Sequence, residues 1–431
     1  MIMKKIPEGY KQTEIGVIPS DWDVKVFGDI VNYVKGFAFK SKDYKPDGIR
    51  IIRVSDTNYD SIKKENAIYV DEKRAYEFCH WKLDEYDLIF STVGSKPPMY
   101  DSIVGKVILI KKEFAGSLLN QNAVLIRAKD KTRLIQELLL NHFRTKRYLQ
   151  HIEEIFRGNA NQASITLKEF FKYKIPLPKS KIEQIAIANI LSDTSALIEN
   201  LEKLITKKKA VKQGAMQQLL TGKKRLPGFS GEWEVKTLGE IGKFKGGSGF
   251  PIKYQGKVES KYPFYKVSDM NNKGNQTFMR NSNNWINEST KKIIGSNVFP
   301  EHTIVFAKIG AAIYLERKKI LFMKSCIDNN MMGFIFDESQ SDYRFLHYLF
   351  LSIQLGKLVS ATALPSLNGK QIAELSFAFP RKKEQTAIAT ILSDMDVEIE
   401  SLEQKRDKYI MLKQGMMQQL LTGRIRIYAN N

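Results

Sequence analysis

Cysteine is nearly missing from this chain: its 431 residues include two, Cys79 and Cys326, in unrelated contexts. A disulfide framework and a cysteine-based metal site are thereby excluded, and both thiols read as structural. Histidine is scarce too. His80, His142, His151, His302 and His347 are scattered, and no pair has a ligand spacing coupled to carboxylates, so no bound metal is expected. No apolar run approaches the roughly 18 residues of a membrane-spanning helix. No signal peptide opens the chain, so the expected location is cytoplasmic. Acid is short relative to base, with 47 Asp and Glu against 68 Lys and Arg, a net charge of +21. That balance favours a polyanionic partner, nucleic acid above all. The basic residues are spread over the whole chain and form no tail, which points to a folded binding surface.

What the chain holds twice is a long helical pattern. Glu183 to Gly222 and Glu384 to Gly423 align without a gap at an offset of 201 and share 24 of 40 residues. With Ile187 at heptad position a, the a line continues through Thr194, Leu201, Lys208 and Ala215. The d line is Ile190, Leu197, Leu204, Val211 and Gln218, with Leu191, Ile198, Ile205 and Leu219 beside it at e. The second copy repeats the stripe through Ile388, Ile391, Leu392, Met395, Ile399, Leu402, Tyr409, Leu412, Met416 and Leu420, with Glu398 and Lys405 interrupting d. Such a stripe is a seam for another helix, so the two copies most simply pack on each other as a coiled coil. Forty residues would make a rod of about 60 Å. The first copy opens on a capping box, Ser180 with Glu183, after Pro176 and Pro178. Gly222 and Gly423 suit the left-handed stop. Gly214 and Gly415 sit at the same place in both copies at a cost of about 1 kcal/mol each, which predicts close backbone approach by a seam or docking partner.

The globular segments are duplicated as well. Asp21 to Phe39 lines up with Glu232 to Phe250, matching Trp22 with Trp233, Gly28 with Gly239 and Phe39 with Phe250. Arg53-Val54-Ser55-Asp56 matches Lys266-Val267-Ser268-Asp269, Phe90 to Gly94 matches Phe306 to Gly310, and Asn120-Gln121-Asn122 matches Asp328-Asn329-Asn330. Between these anchors the copies have diverged. Runs at Ile49 to Val54, Tyr86 to Phe90, Val104 to Ile110 and Ala123 to Arg127 read as strands. Arg133 to Phe156 and Tyr343 to Leu358 read as helix. Lys4 to Trp22 reads as an irregular lead-in. Its Lys4-Lys5-Ile6-Pro7 resembles Lys224-Arg225-Leu226-Pro227, so the repeat is cyclic and the N-terminus is expected beside the end of a long helix.

The expected fold class is therefore α+β, with domain boundaries at 1–178, 179–225 (first long helix), 226–379 and 380–431 (second long helix and tail). Two similar but non-identical basic domains suit a duplex with two different half-sites.

These residues resemble the DNA sequence-specificity subunits of type I restriction-modification systems over essentially the whole chain. The resemblance rests on the EQ.AIA.ILSD openings, the KQGxMQQLLTG ends, Lys224-Arg225-Leu226-Pro227-Gly228-Phe229 after the first helix, and the W-x-V-x-x-[LF]-G-[DE]-I entry to each domain. It implies two target-recognition domains bridged by two antiparallel helices. It implies double-stranded DNA as ligand, two methyltransferase subunits docked on the helices, and restriction-translocase subunits able to join. S-adenosylmethionine, ATP and magnesium would belong to those partners, with no cofactor on this chain. One departure is Gly36-Phe37-Ala38-Phe39 in the first domain against Gly246-Gly247-Ser248-Gly249 in the second, which predicts a differently built loop.

The sequence offers no site for chemistry. Lys96-Pro97-Pro98-Met99-Tyr100 approaches the [D/N/S]-P-P-[Y/F/W] turn of amino-methylating enzymes, but lysine cannot accept the target amine's hydrogen bond. The glycine run at 246–249 lacks the lysine and the strand-to-helix frame of a phosphate loop. For DNA contact the candidates are Lys40, Lys42, Arg53, Lys96, Arg157, Asn159 and Gln162 in the first domain and Lys253, Lys266, Lys308, Asn329 and Asn368 in the second. Asn and Gln suit adenine, Arg suits guanine, and lysines hold phosphates. For seam and docking they are Ile187, Ile190, Leu191, Ile198, Leu201, Gly214 and Leu219 with Ile388, Ile391, Leu392, Ile399, Leu402, Gly415 and Leu420. The rival classes are a stand-alone DNA methyltransferase or nuclease with a diverged site, and a coiled-coil scaffold whose charge is incidental.

Overall fold

The structure, a computed structural model, describes residues 6–427 apart from 59, 97–98, 100–102, 131, 160–161 and 360–363; the side chains of Asn159 and Gln162 also lie outside the description. The Lys96 to Tyr100 turn thus falls largely outside the described residues. The chain divides into two compact units, Met1–Glu202 with Gln404–Asn431, and Lys203–Glu403. Its helices include α1 (Arg133–His142), α2 (Lys181–Leu219), α3 (Tyr343–Ser352) and α4 (Lys382–Leu420). The two long ones, α2 and α4, are 39 residues each, and each unit holds one globular domain with a portion of both.

In the first unit the lead-in is a hairpin, Tyr10–Thr13 against Gly16–Pro19, where an irregular segment was expected. Thr13 Oγ1 donates to the Gly16 carbonyl at 2.7 Å and so closes a two-residue turn that the spacing of prolines did not reveal. The Tyr10 hydroxyl donates to the Gly423 carbonyl at 2.9 Å, which places this hairpin beside the end of α4 as the cyclic repeat predicts. The main sheet runs Val31–Lys35, Ala123–Ala128, Leu88–Ser91, Val107–Leu109, antiparallel throughout. A smaller sheet pairs Leu118–Leu119 in parallel with Ile49–Ile52. The predicted helix at 133–156 is two helices: Thr145 interrupts it and caps Lys146–Ile155, its Oγ1 accepting from the Tyr148 N–H. Phe27, Phe90, Phe143, Tyr148 and Phe170 form an aromatic core beneath.

The second unit repeats the plan. Gly242–Gly246, Met331–Phe336, Ile304–Ala307 and Lys318–Leu321 are antiparallel neighbours, with Phe278–Met279 added in parallel at the edge. Cys326–Ile327 pairs in parallel with Tyr262–Tyr265. In both units the strand that enters the domain pairs antiparallel with the strand that leaves it: Trp22–Val26 with Lys174–Pro178, and Glu234–Thr237 with Ser376–Phe379.

Within each unit α2 and α4 pack antiparallel. In the first, Ile187, Ala188 and Leu191 meet Met417, Leu420 and Leu421. In the second, Met216, Leu219 and Leu220 share a core with Ile388, Ala389 and Leu392. Lys208 pairs with Glu398 at 2.6 Å and Lys212 with Asp396 at 2.5 Å, so the residue numbers run in opposite senses along the seam. The seam follows the a and e lines, whereas the expected d line is largely open: Ile190, Leu204 and Val211 are 37%, 38% and 50% exposed. Ile198, Ile391 and Leu402 are half-buried, and Leu201 and Ile399 are buried. At Gly214 and Gly415 the seam half of the expectation is not met: a Cβ at either would meet nothing within 4 Å among the described residues, and both positions stand open.

Candidate nucleic-acid interface

Each unit begins with a charged clip that fixes the domain to its helices. Glu183 is buried near the start of α2, where the first-turn N–H of its own residue points to Ser180 Oγ at 3.4 Å. Its carboxylate does not complete the expected capping box. It accepts instead from Trp22 Nε1 at 3.2 Å and from Arg426 Nε at 2.6 Å. In the second unit Glu384 accepts from Trp233 Nε1 at 3.1 Å and Arg225 Nε at 2.6 Å. The glycine that ends each long helix has a left-handed φ, +69° at Gly222 and +68° at Gly423. Each lies against the tryptophan of the same unit. Side-chain hydrogen bonding to Glu183, and less to Asp21, raises the basicity of Arg426, and the same arginine lowers the pKa of Asp21.

At the other end of each sheet a short turn is held by one backbone pattern in both domains. In the first, Asn120 N donates to the Ile52 carbonyl at 3.0 Å, Thr92 N to Asn122 O at 2.9 Å and Gly36 N to Ala123 O at 2.9 Å. In the second, Asp328 N donates to Tyr265 O at 2.9 Å, Lys308 N to Asn330 O at 2.8 Å and Gly247 N to Met331 O at 3.1 Å. The glycine is required. A Cβ on Gly36 would lie 1.9 Å from the Asn120 carbonyl oxygen, and one on Gly247 would lie 2.0 Å from that of Asp328. The loops at Gly36 and Gly247 are therefore built alike here, contrary to the difference expected from their neighbours.

On this common frame the side chains differ. Asn120 and Asp328 are buried, whereas Gln121, Asn122, Asn329 and Asn330 are exposed. Asn122 has φ +67°, a left-handed conformation that asparagine tolerates better than most residues. Burial holds the Asp328 carboxyl above its ordinary value, with Asn330 N at 3.1 Å the chief opposing contact; Asp269 is raised by burial likewise. In the first domain the turn lines an open cleft of about 510 Å³ together with Arg53, Ser55, Asn58, Lys63, Ser95 and Lys106.

The candidates picked from sequence distribute as follows. Arg53 lines that cleft, but its guanidinium is committed to Asp56, at 2.6 Å, and to the Asn66 carbonyl, at 2.8 Å. Its matched residue Lys266 donates to Gln255 Oε1 at 3.1 Å. Asn368 spends its side chain capping the short helix Gly369–Ala373 through Lys370 N. Lys40, Lys42, Lys96, Arg157 and Lys253 are exposed, and Lys308 is half-buried. The strands carrying Arg157, Asn159 and Gln162 form a hairpin that pairs with Val93–Gly94, the residues following Thr92. Sequence reasoning did not pick Asn120, Gln121, Asn122 or Asn330 for contact, although the matched Asn120-Gln121-Asn122 and Asp328-Asn329-Asn330 triplets were the available signal. Among the described residues no group of three or more His, Cys, Asp or Glu could hold a metal, and no helix is long and apolar enough to cross a membrane.

Two basic domains of one plan, each showing neutral amides at the same turn and each clipped to a shared helical pair, define a duplicated DNA-recognition protein. The family model described as "Type I restriction modification DNA specificity domain" matches residues 19–210 and 230–409, and the chain belongs to that family. It is similar to the type I restriction enzyme MjaVIII specificity subunit of Methanocaldococcus jannaschii, 25% identical over 468 residues, covering 97% of this chain and 96% of that protein. The MjaIX specificity subunit of the same organism is 27% identical over 393 residues, covering 86% of each. The fold matches that of the type I restriction-modification S subunit from M. genitalium, with a TM-score of 0.59 at 16% identity, covering 97% of this chain and 98% of that one. The chain is thus a DNA-specificity subunit with two target-recognition domains.

Proposed function

We propose that each domain reads one half of a bipartite, asymmetric DNA target, while α2 and α4 set the spacing and carry two adenine-methylating subunits. The observation that carries this reading is the contrast between an identical backbone frame in both domains and different side chains upon it, at Asn120-Gln121-Asn122 and Asp328-Asn329-Asn330. Docking at two places is supported by the equivalent outward residues Val211 and Leu412, 50% and 49% exposed, each followed three residues on by an open glycine. The partners would bring S-adenosylmethionine and extrude the adenine, and restriction-translocase subunits would bring ATP and magnesium; this chain would bind none of these cofactors.

The test is to map methylated adenines produced by the assembled complex after the first domain is replaced by one of different sequence. One half of the target changes and the other stays if the reading is right; a change in both halves overturns it. A four-residue insertion at matched places in α2 and α4 adds about 6 Å of helix, close to two base pairs at about 3.4 Å each. The unread spacer should lengthen accordingly, and an unchanged spacer would exclude a ruler role.

A further inference from the structure

We infer that the matched turns are the base-reading elements: Gln121 and Asn122 read one half-site, Asn329 and Asn330 the other. The inference rests on the assignment of one half-site to each domain.

Three observations place the reading here. Each turn is fixed from both flanks by main-chain hydrogen bonds that do not depend on its side chains, the bonds from Thr92 and Gly36 in one domain and from Lys308 and Gly247 in the other. A rigid backbone with exposed side chains spends little ordering free energy on contact. The exposed groups are amides in both domains. An amide offers a donor and an acceptor side by side and so matches the N6 and N7 edge of adenine, whereas a phosphate calls for positive charge. The positive charge is nearby but separate, at Lys63 in the first cleft and at the half-buried Lys308 beside the second turn. Basic groups would hold the backbone, and the turn would face base edges. By contrast, the arginine that composition would nominate for guanine, Arg53, has its fork closed on Asp56.

The experiment uses the full chain assembled with its methylating partner, on a library of duplexes randomised in the target, read by adenine methylation. The first variant is Gln121→Ala with Asn122→Gly; glycine keeps the left-handed φ while removing the amide. The second is Asn329→Ala with Asn330→Ala. Each should relax discrimination at one or two positions of a single half-site by about tenfold to a hundredfold, with the thermal transition of the chain unchanged. A uniform fall in methylation with the target motif intact would mean phosphate contact and overturn the inference, as would an unaltered profile. Should domain replacement still switch one half-site while these variants leave it intact, the base-reading role alone fails. If a first-domain variant relaxes both halves, it is the assignment of one half-site to each domain that fails.

Discussion

The two units agree at one end and part at the other. At the helix ends Trp22, Glu183 and Arg426 repeat Trp233, Glu384 and Arg225 almost atom for atom. At the reading turns the main chain repeats equally well, but where one unit has an amide, Asn120, the other has a carboxyl, Asp328. The lesson is a division of labour inside a duplicated chain. The groups that clip each domain to its helices repeat, and the side chains carried on the repeated turn frame, buried and exposed alike, differ.

The sharpest way to break the likeness is at the clips. Removing one partner of a buried ion pair costs about 3–5 kcal/mol, so Glu183→Ala and Glu384→Ala should each lower the stability of their own unit by that order. Glu384→Ala should cost more, because Arg225 then has no carboxylate among the described residues, while Arg426 keeps Asp21 at 2.7 Å. Chemical denaturation of the full chain measures both. Next come Gly36→Ala and Gly247→Ala, where the new methyl would meet a carbonyl oxygen. Each should cost about 1–3 kcal/mol and abolish recognition of one half-site, read by methylation mapping.

A smaller effect should sharpen the difference between the units. Lys212 pairs with Asp396 and lies over the Tyr348 ring. Its repeat-mate Lys413 has no carboxylate at ion-pair distance among the described residues, and burial lowers its pKa. Lys212→Met should therefore destabilise by up to about 1 kcal/mol, while Lys413→Met should be neutral or stabilising. Smallest is the titration of Asp328. Burial raises its folded pKa, so the folded state holds the proton more tightly than the unfolded state does. Its contribution to stability is greatest below the ordinary carboxylate range and declines as pH rises through the folded value. Asp328→Asn should remove this decline and stabilise near neutral pH by under about 1 kcal/mol, seen as a flatter profile of urea midpoint against pH.

Much of this was legible in the sequence. The long helices were, because 24 of 40 identities and a heptad stripe leave little freedom. Which side of the stripe forms the seam was legible only in part: Glu398 and Lys405 break the d line in the second copy, but Ile190, Leu197, Leu204 and Val211 keep it apolar in the first, and only packing decides that a and e close while Val211 stays open. Ser180 and Glu183 have the spacing of a capping box, yet the carboxylate went to Arg426, which lies far along the chain. Near neighbours misled as well: Arg53 and Asn368 looked available, yet Asp56, three residues on, and Lys370 N, two residues on, already hold them. Of the reading turns only Asn329 was picked although their triplets align, because a residue's value there depends on Gly36 and Gly247 supporting it from another strand.

The pairing of each domain's first strand with its last, Trp22–Val26 with Lys174–Pro178 and Glu234–Thr237 with Ser376–Phe379, has a mechanical consequence. A module whose two chain ends leave side by side acts as a cassette on a single hinge pin. Its interior can lengthen, shorten or be exchanged at the modest entropy of a longer closed loop, and no strain reaches the helices that carry it.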